Sequence, residues 1–342
     1  MSTPLGLLPD FPSFVTHHAV TGAMRHVLRH GGLDVGEEML LGLGAGAGFF
    51  YRHPRGATPM LLGQGNTRRA NTPGLVVDAG RRLGVRVEPF SGGGARRAEA
   101  SMREELEAGR PVMARVDIGL MPYFDFPEEH HFGGHMVVVA GDRDDHMWVV
   151  DRDDDIHLVP VEALMAARGS THEPFPPKHA WYRLDPSEAR LPGVEDIRGA
   201  VRQNARAMLD GPVSNMGVKG IRKAARLVPR WSTMLTESEL RHACRTNLLA
   251  IDARGGTGGG FFRAMYGRFL DEAAEVTGAG ILTDAAGMAE ESAERWDVVG
   301  KLFEAAYGGE VSADVMGEVG ARLAEIADAE QALWVLLYAW SE

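Results

Sequence analysis

The amino-acid sequence predicts an α+β protein with a mixed first part and an all-α second part. Short β-branched runs closed by glycine or by polar turns, such as Met136 to Gly141, occur in the first part and are typical of strands. Alanine-rich segments with apolar residues at helical spacing follow a proline-punctuated stretch from Asp185 to Glu195. We therefore predict two domains, residues 1–188 and 189–342, with the boundary near residue 190.

The composition is that of an ordinary globular protein of 342 residues, long enough for two hydrophobic cores. Its 36 basic and 47 acidic residues give a net charge of −11, which argues against a nucleic-acid partner. The single cysteine, Cys244, excludes an internal disulfide and fits a reducing cytosol. No signal peptide is evident, and the longest apolar run, Met39 to Tyr51, is too short to cross a bilayer. We expect a cytoplasmic protein without membrane contact.

The first predicted helix runs from Val20 to His30. Its apolar residues keep helical spacing, and the pair Gly31-Gly32 would end it. Ala19 then lies at the helix N-terminus, where the helix dipole stabilises an anion and lowers the pKa of a thiol. The position suits a cysteine, and the chain has alanine there.

A glycine-rich segment follows a short predicted helical turn at Glu37. Its glycines formally fit the dinucleotide-binding pattern G-x-G-x-x-A, but neither the strand before it nor the acid after it is evident. We expect the glycines to let the backbone pack closely beside a substrate channel or another strand.

The other elements of the first part follow in order. We predict strand–helix–strand material over 75–90, a helix over 98–108, a buried strand over 111–118 and a loop over 120–129. Beyond the histidines we predict a strand over 156–159, a helix over 160–168 and a strand over 179–184 that closes the sheet.

One constellation points to nucleophilic catalysis. Antiparallel pairing across the turn Asp142 to Asp145 would place His135 almost opposite Asp151, with both side chains on one face. The carboxylate would hold the proton on one imidazole nitrogen and leave the other as a base. A structural histidine bonded across a hairpin would give the same pair. The chain order of position 19, histidine and aspartate is that of papain-like cysteine enzymes, which favours the catalytic interpretation.

Two sequence patterns resemble cation-binding motifs, but neither is expected to bind a cation. His131-x-x-x-His135 has metal-ligand spacing for a helix, but the glycine pair between indicates an extended segment, whose residues four apart lie roughly 13 Å apart. The acid run from Asp151 to Glu162 follows calcium-loop spacing but has Ile156 where glycine is needed.

The second part contains a basic amphipathic helix with no acid from 211 to 236. Such a face is usually solvated or docked on an acidic neighbour, and otherwise binds an acidic protein or a phosphate group. Its basic residues are Lys219, Arg222, Lys223, Arg226 and Arg230.

The chain resembles the family of butirosin biosynthesis protein H, in which a papain-like domain precedes a helical domain. In the first domain the likeness is carried by His18 to Met24, Glu37 with Met39 to Phe49, His131 to Gly141, and Val149 to Asp151. In the second it is carried by Gly256 to Arg263, Tyr266, Phe269, Leu270, Glu272 and Ala273.

The resemblance implies an acyltransferase. An acyl or aminoacyl group on the phosphopantetheine thioester of an acyl or peptidyl carrier protein would move to a cysteine, and then to an amine of a small biosynthetic intermediate. It implies no bound cofactor and no metal, and a catalytic triad at positions Ala19, His135 and Asp151.

Further roles are predicted from the residues of both domains. The glycine loop 256–260 before Phe261, Phe262 and Arg263 is interpreted as a turn that presents aromatic side chains and a cation to a partner surface, with a simple connection between two helices as the alternative. Predicted substrate-binding residues are His18, Glu37, Gly44, Gly46, Phe132 and Arg263, and predicted carrier-docking residues are Lys219, Arg222, Lys223 and Arg226.

Ala19 departs from the family, which has its nucleophilic cysteine there. The chain is either a cysteine-to-alanine variant made to trap a complex or a natural homologue without its nucleophile, and the intact remainder of the pattern favours the first. No glutamine in 10–18 supplies an oxyanion hole, which leaves the backbone N–H of residue 19 and, with less support, His18. A thioesterase or peptidase, an inactive binding scaffold, and a homodimer stay open.

Overall fold

The computed structural model describes residues 6–68, 72–126, 130–309 and 312–342. The chain forms two compact units by its internal contacts. The first contains Met1–Leu40 and Thr67–Leu191, and the second contains Leu41–Asn66 and Pro192–Glu342. These units and the predicted domains 1–188 and 189–342 differ chiefly at residues 41–66. The predicted domain boundaries stay a prediction.

The elements have the following bounds. The strands are β1 (Ala47–Arg52), β2 (Met60–Gln64), β3 (Thr67–Arg68), β4 (Thr72–Pro73), β5 (Arg86–Phe90), β6 (Val112–Val116), β7 (His135–Arg143), β8 (His146–Val150), β9 (Ile156–Pro160) and β10 (Trp181–Asp185). The α-helices are α1 (Ala19–His30), α2 (Glu37–Leu43), α3 (Gly74–Arg82), α4 (Ala95–Glu107), α5 (Val161–Gly169), α6 (Val194–Leu209), α7 (Gly217–Leu227), α8 (Trp231–Met234), α9 (Glu237–Ile251), α10 (Arg263–Thr277), α11 (Gly280–Gly308) and α12 (Ala313–Ser341). Single 3₁₀ turns lie at Ile118–Leu120, Val228–Arg230, Ala253–Gly255 and Gly260–Phe262.

The predicted α+β class is confirmed, because every strand precedes residue 186 and every described element beyond it is helical. The first unit is built on a six-stranded antiparallel sheet in the order β5-β10-β6-β7-β8-β9. β6 is buried along its whole length, as its apolar run predicts. β10 lies inside the sheet between β5 and β6, so the prediction that this segment closes the sheet is wrong.

Helix α1 packs against β7 and β6. Its residues Val20, Met24, Val27 and Leu28 are each at most 3 % exposed, which is the buried stripe that the spacing predicted. The helix ends at His30, directly before the predicted glycine stop. Its amphipathic pattern therefore fixes both its length and the face that meets the sheet.

In the second unit the hairpin β1–β2 packs among the helices. The ring of Tyr51 lies parallel to that of Trp231, and Phe49 stacks on Trp296 with centroids 5.8 Å apart. A Cβ on Gly48 would lie 2.5 Å from Cα of Gly65, so this glycine allows close approach of two backbone segments, as expected. In the described part of the chain, no helix has the length and apolar character needed to cross a membrane.

Candidate active site

Strands β7 and β8 bring His135 and Asp151 together. Nε2 of His135 lies 2.8 Å from both carboxylate oxygens of Asp151. Val138 pairs with Val150, so continuing the register by one residue places Asp151 across from Val137, two residues from His135. His135 and Asp151 therefore form a diagonal pair, two residues away from the nearly opposed pair that was predicted, but they share one face and are hydrogen-bonded, as predicted.

The Asp151 carboxylate is buried and receives a second hydrogen bond. The Tyr123 hydroxyl donates to its Oδ2 over 2.8 Å. Burial by itself would raise the pKa of Asp151, but the charge and hydrogen bond of His135, together with the Tyr123 hydrogen bond, hold that pKa below its usual value. Asp151 is thus a carboxylate at neutral pH, and it can only accept hydrogen bonds.

This arrangement sets the tautomer of His135. Since Asp151 only accepts, Nε2 carries the proton and neutral His135 has its lone pair on Nδ1. Nδ1 of His135 is not among the buried side-chain atoms that lack a hydrogen-bond partner in the described part of the chain. The Phe124 ring lies nearly perpendicular to the imidazole, with centroids 6.2 Å apart. His135 can accept a proton at Nδ1 while Asp151 stabilises the imidazolium.

Ala19 is the first residue of α1 and is half-buried. Just before the helix, the Thr16 N–H donates to the carbonyl of Arg152 over 2.7 Å, which ties this segment to the residue after Asp151. Together with the packing of α1 on β7, this contact places position 19 and the His135–Asp151 pair in the same region of the first unit. The predicted position at a helix N-terminus is confirmed, whereas the catalytic roles stay a prediction.

Glu37 anchors the segment that holds position 19. Its carboxylate is 2 % exposed and accepts the N–H of His17 over 2.9 Å, the N–H of His18 over 3.0 Å and the hydroxyl of Thr21 over 3.2 Å. These contacts turn the carboxylate toward its own chain, so the geometry does not support the predicted substrate-binding role. Glu37 instead supplies a negative charge at the N-terminus of α1, where the helix dipole favours one.

The predicted substrate-binding residue His18 is the N-cap of α1 and is also buried. Its Nδ1 lies 3.2 Å from the Thr21 hydroxyl, and its backbone N–H is bonded to Glu37. The backbone N–H of His18 is therefore occupied, and its contacts hold the first turn of the helix.

Phe132, another predicted substrate-binding residue, is accessible to a substrate because 38 % of its surface is exposed.

Asp117 is a residue that sequence reasoning missed, and it holds the loop around Phe132. Asp117 is fully buried and accepts the N–H of Phe132 over 2.9 Å and the Ser170 hydroxyl over 2.7 Å, and it pairs with Nδ1 of His131 at 2.9 Å. The signal available in the sequence was an acid directly after the buried strand β6. The two histidines of the considered metal motif thus bond to different carboxylates.

The glycines proposed for substrate binding lie in the second unit and are buried. The carbonyl of Gly44 accepts the side-chain amide of Asn66 over 2.7 Å, and the carbonyl of Gly46 accepts the N–H of Gly65 over 2.7 Å. Their backbone oxygens therefore serve the packing of the segment before β1.

The expectation that the glycine turn presents aromatics and a cation to a partner is wrong. Phe261 and Arg263 are at most 1 % exposed. Arg263 is enclosed with Glu330, which accepts from its Nε at 2.9 Å and its Nη2 at 2.8 Å, while Nη1 donates to the carbonyl of Gly48. The indoles of Trp296 and Trp334 also donate to Glu330. A desolvated guanidinium needs such a counter-charge, so this segment forms core.

The predicted basic helix is confirmed from Lys219 to Arg226 as α7, with Ile221 on its buried side, whereas Arg230 lies in the 3₁₀ turn that follows. Arg222 pairs with Asp328 at 2.9 Å, and Lys223 lies 3.4 Å from the Ser214 hydroxyl. Lys219 and Arg226 are exposed and form no ion pair among the described residues. The Ser214 hydroxyl is neutral, so three of the four predicted docking residues have no counter-charge among the described residues, and Lys219 and Arg226 are the exposed ones.

Two family models match the chain in succession. The model described as butirosin biosynthesis protein H, N-terminal, matches residues 18–152, which include position 19 and the His135–Asp151 pair. A model described as a domain of unknown function, DUF4872, matches residues 162–337, more than half of the chain.

Other comparisons add little. A solved structure described as a C39-like peptidase from Bacillus anthracis has 13 % identity, covers 53 % of this chain and 97 % of its own, and superposes with a TM-score of 0.32. That likeness is too distant to specify fold or activity. No curated protein matches the chain. The two family models together confirm the predicted resemblance, and the chain belongs to the DUF4872 family, with the N-terminal domain of butirosin biosynthesis protein H before it.

Proposed function

We propose that this protein is an acyltransferase of secondary-metabolite biosynthesis whose nucleophile position is residue 19. The observation that carries the proposal is the buried His135–Asp151 pair, in which Asp151 holds Nε2 and leaves Nδ1 as the base. The helix that starts at Ala19 packs on the strand that carries His135. The family match to a biosynthetic protein supports the class of pathway.

In a cysteine-bearing form, the steps balance as follows. Nδ1 of His135 takes the thiol proton, and the thiolate adds to the carbonyl carbon of a carrier-bound thioester. The carbon–sulfur bond to the phosphopantetheine arm breaks, and its thiolate leaves with the proton from His135. An amine then adds to the acyl–enzyme, His135 accepts the amine's proton, and the cysteine leaves as the amide forms.

The backbone N–H of residue 19 is the proposed donor to the oxyanion, since the first N–H groups of a helix have no partner within the helix. Asp151 stays ionised and stabilises the imidazolium formed in each half-reaction. Alanine at position 19 removes the group that forms the covalent bond, so the chain with Ala19 binds donors without transferring their acyl groups.

The direct test is Ala19→Cys. After exposure to a panel of acyl-thioester donors, intact mass spectrometry should find one acyl adduct per chain. The unchanged protein is the matched control because its only thiol, Cys244, is buried, and burial raises the pKa of that thiol to about 11. No adduct from any donor, with a thiol at position 19 no more reactive than free cysteine, would contradict the proposal. Partition of the adduct between an added amine and water separates a transferase from a hydrolase.

Ala19 itself favours a second function, an inactive scaffold that binds the same donors. Sequencing the source gene at codon 19 separates the two. A native alanine codon, with donor binding by the unchanged protein, would support the scaffold.

We further propose that the carrier docks on α7. The protein carries a net charge of −11 and would repel an acidic carrier unless a local basic face reversed the field. Lys219 and Arg226 provide that face with exposed, unpaired charges. In the Ala19→Cys background, Lys219→Glu with Arg226→Glu should raise the apparent KM for the carrier, most strongly at low salt. Arg295→Glu with Lys301→Glu, the same charge change at two exposed residues of α11, is the control, and equal KM values in both double variants would remove α7 as the docking face.

A further inference from the structure

Tyr123 makes a contact that the proposed acyl transfer does not by itself require. Its hydroxyl lies 2.8 Å from Oδ2 of Asp151, the oxygen that also lies 2.8 Å from Nε2 of His135. Asp151 is buried, so each donor to it replaces a water molecule that the carboxylate has lost. Burial, and then the negative charge of Asp151, raise the pKa of Tyr123 well above its usual value, so the phenol keeps its proton and donates.

The position of the phenol is itself fixed. Tyr123 lies on the loop after the 3₁₀ turn Ile118–Leu120, outside the sheet. Its ring stacks on the imidazole of His157 with centroids 3.9 Å apart and planes 13° from parallel. Nε2 of His157 lies 2.9 Å from a carboxylate oxygen of Asp153. The imidazole of His157, on β9, thus fixes the ring of Tyr123 whose hydroxyl reaches Asp151.

We propose that Tyr123 is a positioning residue, whose hydroxyl fixes the Asp151 carboxylate so that Asp151 holds Nε2 of His135 and leaves Nδ1 to face position 19. The last part, Nδ1 acting on a nucleophile, rests on the proposed function. The hydrogen bond between Tyr123 and Asp151 needs neither a nucleophile nor a donor. Tyr123 acts through Asp151.

Three further ionisable groups act on this pair. Arg152 acts on both Asp151 and Tyr123, and Asp153 acts on Tyr123. His26 on α1 lies next to the backbone of Asp151, and burial lowers its pKa to about 4. A substitution that removes only the Tyr123 hydroxyl leaves all three groups in place. If the titration of His135 and Asp151 differs between that variant and the unchanged protein, the difference is therefore due to the hydroxyl.

The test is Tyr123→Phe in the protein as it stands, with Ala19. The imidazole ¹⁵N shifts of His135, followed by NMR from acid to alkaline pH, report the coupled titration of His135 and Asp151. We expect the acid step of the pair to move upward by about one unit, a tenfold change in proton affinity, because the carboxylate loses one charge-assisted hydrogen bond. Tyr182→Phe removes a hydroxyl from another buried tyrosine of the same unit and should leave the titration unchanged.

An acid step that stays within experimental error in Tyr123→Phe would overturn the proposal, and any loss of stability would then make the contact merely structural. If that variant does not fold, the unchanged protein provides a second measurement. A hydroxyl proton bonded to a buried carboxylate should give a separate, slowly exchanging NMR signal at low temperature, and absence of that signal for Tyr123 would also overturn the proposal.

An activity measurement separates the two hypotheses. In the Ala19→Cys background, Tyr123→Phe should move the acid limb of the acylation rate in parallel with the NMR shift. A shifted NMR titration without acylation in either protein would refute the proposed function and leave the positioning role standing. Acylation with an unmoved acid limb would refute the positioning role alone.

Discussion

Glu37 allows the sharpest choice between a residue that contacts substrate and one that builds the site. Glu37→Gln keeps the shape of the side chain but replaces one acceptor oxygen by an NH₂ donor. The two carboxylate oxygens accept from His17, His18 and Thr21, and the side chain is 2 % exposed. In the least costly orientation, the new NH₂ faces the N–H of His17, which is only partly buried. One hydrogen bond and the negative charge at the helix N-terminus are then lost.

The magnitude follows from these two losses. A hydrogen bond to a charged group contributes about 1.5 kcal/mol at the lower end of its range, and a charge at a helix N-terminus contributes about 0.5 kcal/mol. We therefore expect Glu37→Gln to reduce the free energy of unfolding of the first unit by about 2 kcal/mol. Urea unfolding gives this value, and hydrogen exchange of the α1 amides shows whether the loss is local to that helix.

Glu104→Gln is the control, because Glu104 is an exposed carboxylate on α4 of the same unit and its replacement should change stability by no more than about 0.5 kcal/mol. The reasoning would be refuted if Glu37→Gln had the stability of the unchanged protein and bound donors more weakly. That result would restore the substrate-binding role that the sequence predicted.

Three further predictions concern the second unit. Glu330→Gln should cost about 3–5 kcal/mol in urea unfolding because it leaves the buried Arg263 without its counter-charge, whereas Glu318→Gln, in an exposed pair, should cost less than about 1 kcal/mol. Burial alone would raise the pKa of Glu330, but Arg263 and the indole donors hold that pKa below its usual value. The stability that ionised Glu330 gives to the fold is therefore complete above its unfolded pKa of about 4.3, and it is lost as the pH falls through its folded pKa. Acid unfolding should therefore be less steep in Glu330→Gln, and equal slopes would contradict this. A chain ended at Leu191 keeps residues 41–66 without the helices that cover them, so gel filtration should find it aggregated, and a stable monomer would contradict the assignment of that segment to the second unit.

Local pattern was enough for much of the fold. Helix α1, its start at position 19 and its end before the glycine pair follow from apolar spacing and from the stop signal. The strands β6, β7 and β8 follow from short β-branched runs. The shared face of His135 and Asp151 did not follow from alternation alone. Pairing extended from Gly141 and Trp148 would place Asp151 across from Val138, on the other face of β7, and the register shift between Val139 and Gly141 moves it across from Val137, on the face of His135.

What the tertiary structure decided depends on residues far apart in sequence. The sequence around Arg263 predicted a cation at the protein surface. Only its pairing with Glu330, 67 positions later, shows that Arg263 is a core residue. Glu37 reaches back 20 positions to His17, and Tyr123 reaches forward 28 to Asp151. No local periodicity encodes these partners, because a buried polar group is stabilised by whichever donors the fold brings to it. The sequence by itself therefore determined which segments are helices and strands and which residues form the candidate triad, while the tertiary structure decided which polar side chains are enclosed and which remain free to act.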